Sequence, residues 1–454
     1  MTPSLPANFL SGVIEGFYGA PWNPEERSDL LQHLAESGLN AYMYGPKDDL
    51  HHRVIWRQPY AGRELSELTN FIRQCRARHI HFLYALAPGL DIHFSDPSEL
   101  ERLKERCSQL LALGCEHIAV LFDDIPDSLS ADDRLRWTSP ASAQASMVNA
   151  LWTWVREQAP SARLFFCPTP YCERMARAGL GGPDYLSILG RELHPAIDIF
   201  WTGPEIISRE ITVAHVREIG ALFQRPPLIW DNLHANDYDG RRFFCGPYTG
   251  RPLELRGEIR GILSNPNCEY PLNFVPLRTL GRYVQATGAW NEREEYLRAM
   301  GEWQEHFDTF RGVIDLDDLV RFGDCHYLPY SEGPEANRLF KLVHHLLASH
   351  PSTWGASAGE FLDESRRWRG FFARLTELTH RPLYHALLRR IWDLREEIDL
   401  LARYVEFKSR PGQADLPFQS DYHLPGTYRG GMITRLQTLL NRQPDGALAS
   451  GVAW

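Results

Sequence analysis

The sequence predicts an α/β chain, a closed (β/α)8 barrel followed by an all-α helical bundle, on three observations. Eight short apolar runs alternate with helical stretches, no Gly-rich phosphate loop follows the first run, and the strand pattern stops beyond about Trp290. A chain of 454 residues is also too long for one ordinary domain. The expected division is residues 1–285 for the barrel and residues 286–454 for the bundle.

The runs are, in order, SGVIEGFYG from Ser11, LNAYMYGP from Leu39, IHFLYALAP from Ile80, HIAVLFDD from His117, ARLFFCPT from Ala162, IDIFWTGP from Ile197, PLIWDN from Pro227 and RGILSNP from Arg260. They are apolar on both faces, as parallel strands covered by helices must be. Helix starts fall between them, at Asn23-Pro24-Glu25-Glu26 and Asp96-Pro97-Ser98-Glu99. An open doubly wound sheet is the rival architecture, and eight runs without a phosphate loop count against it. Beyond the barrel, Tyr384, Leu387, Leu388, Ile391, Leu394, Ile398, Leu401 and Val405 fall three or four apart, the spacing of an amphipathic helix. Residues 411–431 read as irregular, and a last helix is expected from Met432 to about Leu440.

Composition narrows the function classes. Hydrophobic residues make up 43% and charged residues 23%, the balance of a globular protein. The net charge of −10 and the lack of a Lys/Arg block disfavour a nucleic-acid partner, because phosphate binding needs a basic surface. No stretch approaches a membrane span and the N-terminal residues lack the pattern of a signal peptide, so no membrane partner and a cytoplasmic location are expected. The eight cysteines are scattered without a CxxC pair or a Cys/His cluster at zinc spacing, so reduced thiols and no metal or cofactor are expected. His79 and His81 have metal-pair spacing but sit at the start of the third strand, the wrong end of a barrel for catalysis.

In a barrel the reactive groups gather at the C-terminal ends of the strands. Here those ends carry Glu15, Gly16 and Tyr18, then Lys47, Asp48 and Asp49, then Asp123 and Asp124, then Tyr171, Thr202, Trp230, Asn232, Asp237 and Asn265. Carboxylates, a lysine, amides and aromatics on one rim describe a pocket for a neutral polyhydroxylated ring, and paired carboxylates suit glycosidic hydrolysis. The adjacency of Asp123 and Asp124 is awkward for a nucleophile facing an acid, since neighbouring strand residues point to opposite faces. If instead the sugar's own 2-acetamido carbonyl attacks C1, one Asp polarises the acetamido N–H and the other protonates the leaving oxygen. Each residue also has a plain reading: the Asp pair as a helix cap or turn, Lys47 as a rim charge paired with Asp48 or Asp49, and Asn232 and Asn265 as loop turns.

The strings GVIEGFYGAPW, YMYGPKDD, LFDDIP, FCPTPYC, FWTGPE, IWDNLHANDYDGRR, GPYTGR and SNPNCEYPLNF resemble, in order, blocks of the glycoside hydrolase family 84 β-N-acetylglucosaminidases, specifically its O-GlcNAc hydrolases. The resemblance continues through YLPYSEGP at Tyr327 and YRGG at Tyr428 into the helical stalk. It implies a retaining hydrolase that removes terminal β-linked GlcNAc, with Ser/Thr of proteins as the favoured aglycone. Asp123 is then the group that orients the acetamido and Asp124 the general acid and base. Gly16, Lys47, Asp237 and Asn265 correspond to positions that bind the sugar hydroxyls, Asn232 and Tyr171 to those that hold the acetamido group and the oxazoline, and Trp230 to the acetamido wall. Trp392 and Tyr238 are implied contacts to a glycosylated polypeptide, and a homodimer through the helical domain is implied. Trp392 also has a plain reading, as a core residue on an apolar helical face. The open alternatives are a sugar-binding protein without turnover, a hexosaminidase acting on glycan or hyaluronan-like ends, and a metal-dependent barrel hydrolase.

Overall fold

The computed structural model describes residues 5–6, 8–420 and 429–452. The chain divides into two compact units, the first made of Met1–Tyr238, Tyr248–Tyr270 and Leu277–Glu292, the second of Asp239–Pro247, Pro271–Pro276 and Arg293–Trp454.

The first unit is a closed parallel barrel of eight strands in sequence order. They are β1 (Leu10–Glu15), β2 (Ala41–Tyr44), β3 (His81–Leu86), β4 (His117–Leu121), β5 (Arg163–Cys167), β6 (Asp198–Trp201), β7 (Leu228–Asp231) and β8 (Gly261–Ser264). Each coincides with one of the eight apolar runs. Closure comes from β8 pairing back onto β1, with Leu10 opposite Gly261 and Val13 opposite Ser264.

Period-two alternation decides which side chains enter the lumen. Ile14, Ala41, Met43, Leu83, Ala85, Ala119, Leu121, Phe165, Cys167, Phe200, Leu228, Trp230 and Leu263 form one buried cluster. The three alanines among them, Ala41, Ala85 and Ala119, share the lumen with Phe165, Phe200 and Trp230, so the interior fills with side chains and the functional space is pushed to the rim. The alternate residues, such as Val13, Tyr42, Ile118, Leu164, Ile199 and Ile262, are also fully buried. This accounts for runs apolar on both faces.

The helix starts read from sequence have the expected chemistry. Asn23 caps the helix Pro24–Glu36 in a reciprocal capping box with Glu26, at 2.8 and 2.9 Å. Asp96 caps Pro97–Ala112 by accepting from Ser98 N at 2.8 Å. The alternation breaks once: between β7 and β8 the connection holds a short 3-10 helix, Leu253–Gly257, where a full α-helix is expected. Gly and Pro recur through that connection, from Gly240 to Gly257, and stop a helix from propagating.

In the second unit the helices Leu316–Cys325, Pro334–Leu347, Gly355–Leu375 and Arg381–Lys408 share a core that includes Trp303, Phe361, Trp368, Phe371, Leu387, Ile391, Leu394, Ile398 and Leu401. Residues 239–247 join it through Cys245 N to His326 O at 2.9 Å, Gly246 N to Tyr327 O at 2.7 Å, and a Phe243–His326 ring stack at 4.4 Å. The expected last helix is shorter than its sequence suggests. It spans Gly431–Gln437, and Leu440 instead opens an antiparallel hairpin, Leu440–Arg442 with Leu448–Ser450. The turn Gln443–Gly446 closes that hairpin, with Gly446 at φ +82°, so local turn chemistry overrides the helical spacing. Tyr428 lies outside the described residues.

Candidate active site

A cavity of about 630 Å³ opens at the C-terminal end of the barrel, and every residue lining it belongs to the first unit. Its wall includes Gly16, Lys47, Asp123, Asp124, Tyr171, Trp230, Asn232, Asp237, Tyr238 and Asn265, together with Tyr18 and Thr202. The volume is in the range of small-molecule sites. Trp392 is in the second unit, 54% exposed on the helix Arg381–Lys408, with the Arg395 guanidinium 5.3 Å from its ring. Its plain reading as a core residue is therefore excluded.

The two aspartates reach one cavity because they lie beyond the strand. β4 ends at Leu121, and Asp124 turns into the left-handed region at φ +50°. That turn cancels the alternation that would send neighbouring strand residues to opposite faces, and aspartate tolerates the conformation better than most residues. The environments then diverge. Asp123 is buried and pairs with Lys47 Nζ at 3.0 Å through Oδ2, while its Oδ1 has no hydrogen-bond partner among the described residues. Burial works against its charge, but Lys47, with Arg53 and His52 behind it, outweighs burial and holds the carboxyl below the usual carboxylate range. Lys47 is itself raised, burial again losing to Asp123. The rim pairing of Lys47 with Asp48 or Asp49 is not formed.

Asp124 is exposed and lies between two phenols: Tyr171 donates to Oδ1 at 3.1 Å and Tyr18 to Oδ2 at 3.0 Å. Burial, then Asp124 and Asp123, push the Tyr171 hydroxyl up, so it stays a donor. Arg53, which the sequence reading did not single out, donates to the Tyr18 hydroxyl at 2.8 Å and to the Asp124 carbonyl at 2.7 Å. Nothing in the HHR stretch marks it, since its partners are distant in sequence. His52 is fully buried beside it; burial, with Lys47 nearby, pushes its imidazole down to about 4. The wall also contains Cys167, Arg174, Glu205, Ile206 and Ile207, which strand-end reasoning passed over. Cys167 is the last residue of β5, and its thiol is pushed well up by burial and by Asp123.

The opposite wall is an amide cluster. Asn232 Oδ1 accepts from Trp230 Nε1 and from Asn265 Nδ2, both at 3.0 Å, and Asn232 Nδ2 donates to Ile206 O at 2.8 Å. These bonds fix which way each amide faces. Asn265 Oδ1 is buried without a partner among the described residues. Gly16 lies against Trp230, where an added Cβ would come within 2.8 Å of Ile14 and 3.1 Å of the indole, so a side chain there would displace the cavity wall. Asp237 accepts from Tyr18 N at 3.0 Å, which ties the rim after β7 to the rim after β1.

Two strand-end carboxylates put forward by the sequence are excluded. Glu15 is fully buried, bound by Arg27 at 2.8 and 2.9 Å and by Trp22 N at 2.9 Å. Asp49 accepts from the hydroxyls of Tyr44 and Tyr60 and from His51 N, away from the cavity. Among the described residues no group of three or more His, Cys, Asp or Glu is placed to hold a metal ion. His81 meets His117 at 3.0 Å at the N-terminal ends of β3 and β4, far along the strands from the rim.

Comparison with known proteins gives the same direction. A family described as beta-N-acetylglucosaminidase matches residues 11–319. The Protein O-GlcNAcases of Rattus norvegicus and Mus musculus are each 43% identical over 278 residues, 61% of this chain and 30% of theirs. The chain thus pairs with under a third of the length of those relatives. Among solved structures, an O-GlcNAc hydrolase mutant from Thermobaculum terrenum is similar with a TM-score of 0.76 and 29% identity, over 88% of this chain and 83% of that one.

Proposed function

The chain belongs to the β-N-acetylglucosaminidase family, and from that premise we propose that it is a retaining hydrolase of terminal β-linked GlcNAc that works by substrate assistance. One observation carries the reading: two buried acceptors on the cavity wall, Asp123 Oδ1 and Asn265 Oδ1, have no donor among the described residues. A buried acceptor without a donor costs about 1–3 kcal/mol, so the fitting ligand brings N–H and O–H groups to both. A 2-acetamido sugar brings one amide N–H and several hydroxyls.

In the proposed sequence the acetamido carbonyl oxygen attacks C1 while Asp123 accepts a hydrogen bond from the acetamido N–H and takes up its developing positive charge. The C1–O bond breaks, its electron pair passing to the leaving oxygen, and Asp124 delivers the proton that oxygen needs. Asp124, now a carboxylate, takes a proton from water as the water oxygen attacks C1 and reopens the oxazoline. Two inversions give retention. Lys47 keeps Asp123 anionic for the first step. Gly16, Lys47, Asp237 and Asn265 bind the sugar hydroxyls, Asn232 and Tyr171 hold the acetamido and oxazoline, and Trp230 walls the acetamido methyl.

A polypeptide bearing GlcNAc on Ser or Thr is the proposed substrate, with Tyr238, 45% exposed on the cavity wall, and Trp392 as contacts. A homodimer through the helical unit and a cytoplasmic location complete the proposal. Supporting them, Leu388 and Trp392 are exposed one helical turn apart, and all eight cysteines are free, as in a reducing compartment. No helix among the described residues is long and apolar enough to cross a membrane.

The test is turnover of an aryl β-N-acetylglucosaminide and the matching β-glucoside, without added metal, by the wild type and Asp123→Asn. Hydrolysis of the N-acetyl substrate alone, lost in the variant, supports the proposal. Turnover of neither moves a sugar-binding protein to the front.

A further inference from the structure

Three loops meet behind Asp124, and one side chain ties them together. Arg53, after β2, is buried, yet its Nη1 reaches the Tyr18 hydroxyl of the loop after β1 at 2.8 Å, and its Nη2 reaches the carbonyl of Asp124 after β4 at 2.7 Å. The Asp124 peptide is in the left-handed region at φ +50°, a conformation that surrounding contacts must hold. The planar guanidinium fork suits this double task, because one rigid group can donate in two directions at once.

The bond to Tyr18 has a consequence for proton transfer. A phenol has one hydrogen. When Arg53 donates to the Tyr18 oxygen, that hydrogen is committed to Asp124 Oδ2, 3.0 Å away. Tyr171 is already a donor to Oδ1. Both carboxyl oxygens therefore face donors, an arrangement that fixes the orientation of the group that gives up and regains the proton.

From this geometry we infer that Arg53 is a positioning residue for the proton-transfer step, acting through Tyr18 and the Asp124 peptide. It aims the Asp124 carboxyl along the cavity wall and commits the Tyr18 hydrogen to the anion that the first step produces. The inference rests on the hydrolase reading above and assigns a residue that reading leaves without a role. The charged and titratable groups around the Asp124 carboxyl are Tyr18 and, behind it, Lys47 and Arg53, then Asp123 on its own loop, Cys167 at the end of β5 and Tyr171 in the loop after it. Of these only Arg53 binds both Tyr18 and the Asp124 backbone.

The test uses the full chain with two substrates: an alkyl β-N-acetylglucosaminide, whose leaving oxygen needs a proton, and a dinitrophenyl one, which needs none. Arg53→Met is expected to lower kcat/KM on the alkyl substrate roughly 10²-fold and on the dinitrophenyl substrate by less than about tenfold. The split between the two substrates is the readout, because a purely structural loss would lower both alike. Tyr18→Phe provides the second variant, since Tyr18 is 51% exposed and its loss leaves the core intact. It should lower turnover of the alkyl substrate selectively in the same way, and adding it to Arg53→Met should cost little more. Equal losses on both substrates would reduce Arg53 to a structural cation and overturn the inference. If Arg53→Met does not fold, the substrate split of Tyr18→Phe decides alone. A wild type inactive on both substrates overturns the hydrolase reading itself, a result separable from a flat response of the variants.

Discussion

Carboxylates at the same end of one barrel have opposite fates, and the difference lies in how fully their oxygens are satisfied. Asp231, the last residue of β7, is fully buried and receives Arg251 at 2.7 and 2.8 Å, Tyr248 at 2.7 Å and Leu233 N at 3.1 Å. Glu15, at the end of β1, is held in the same manner by Arg27, Trp22 and Tyr42. Asp123 is also buried, yet one of its oxygens has no partner among the described residues, and Asp124 reaches solvent. Saturated carboxylates brace the strand ends. The cavity pair keeps capacity for a ligand, Asp123 through an oxygen with no partner among the described residues and Asp124, although two phenols donate to it, through its exposure.

The comparison breaks most easily at the saturated pair. Arg251→Met leaves Asp231 buried without its cation, and the expected loss of stability is about 3–5 kcal/mol. Chemical denaturation would show it as a fall in the midpoint, with activity lost only in proportion to unfolding. If instead activity vanished while the midpoint stayed put, Asp231 would belong to the chemistry and the contrast would collapse.

Asp124→Asn should do the reverse. It lowers turnover of substrates with poor leaving groups by roughly 10²- to 10⁴-fold, spares an activated aryl substrate, and leaves the denaturation midpoint near the wild type. Parallel losses on both substrates would remove Asp124 from the acid role.

A smaller effect concerns the buried imidazoles, which share the unsatisfied character of Asp123. His52 in the barrel is held down at about 4 and His326 in the helical unit at about 3, in both cases first by burial, and each has an Nε2 without a partner among the described residues. Both sit below the ordinary histidine value of 6.5. The unfolded chain takes up protons below that value while the folded chain does not. Stability is therefore full above it and declines as pH falls from there toward 4, by about 1–3 kcal/mol per histidine at the lower end. Unfolding midpoints that stay flat between pH 7.5 and 5 would contradict the neutral burial of these rings.

These contrasts also mark how far the sequence could be read. All eight strands were legible, because a parallel strand buried on both faces leaves a continuous apolar run, and the rim residues were legible because they end those runs. Satisfaction was not. Glu15 and Asp123 look alike as acids closing an apolar run, and only folding brings Arg27 to the first and the cavity to the second. The left-handed turn at Asp124 was hidden as well, since aspartate there follows no glycine or proline signal. Arg53 was hidden because its partners lie 35 and 71 residues away. In the helical unit, the long helix carrying Leu394 and Ile398 showed its period plainly. The hairpin after Gln437 did not, since three-residue strands are too short to display alternation.

In the proposed reaction the sugar's own acetamido group, not a side chain of the protein, attacks C1. The direct measurement is kcat/KM on aryl glycosides whose acetamido methyl carries zero, one, two or three fluorines. Fluorine withdraws electrons from the carbonyl oxygen, so the predicted result is a rate that falls steeply with each added fluorine. A rate that stays level across the series would mean that a group of the protein is the nucleophile, and would contradict the account.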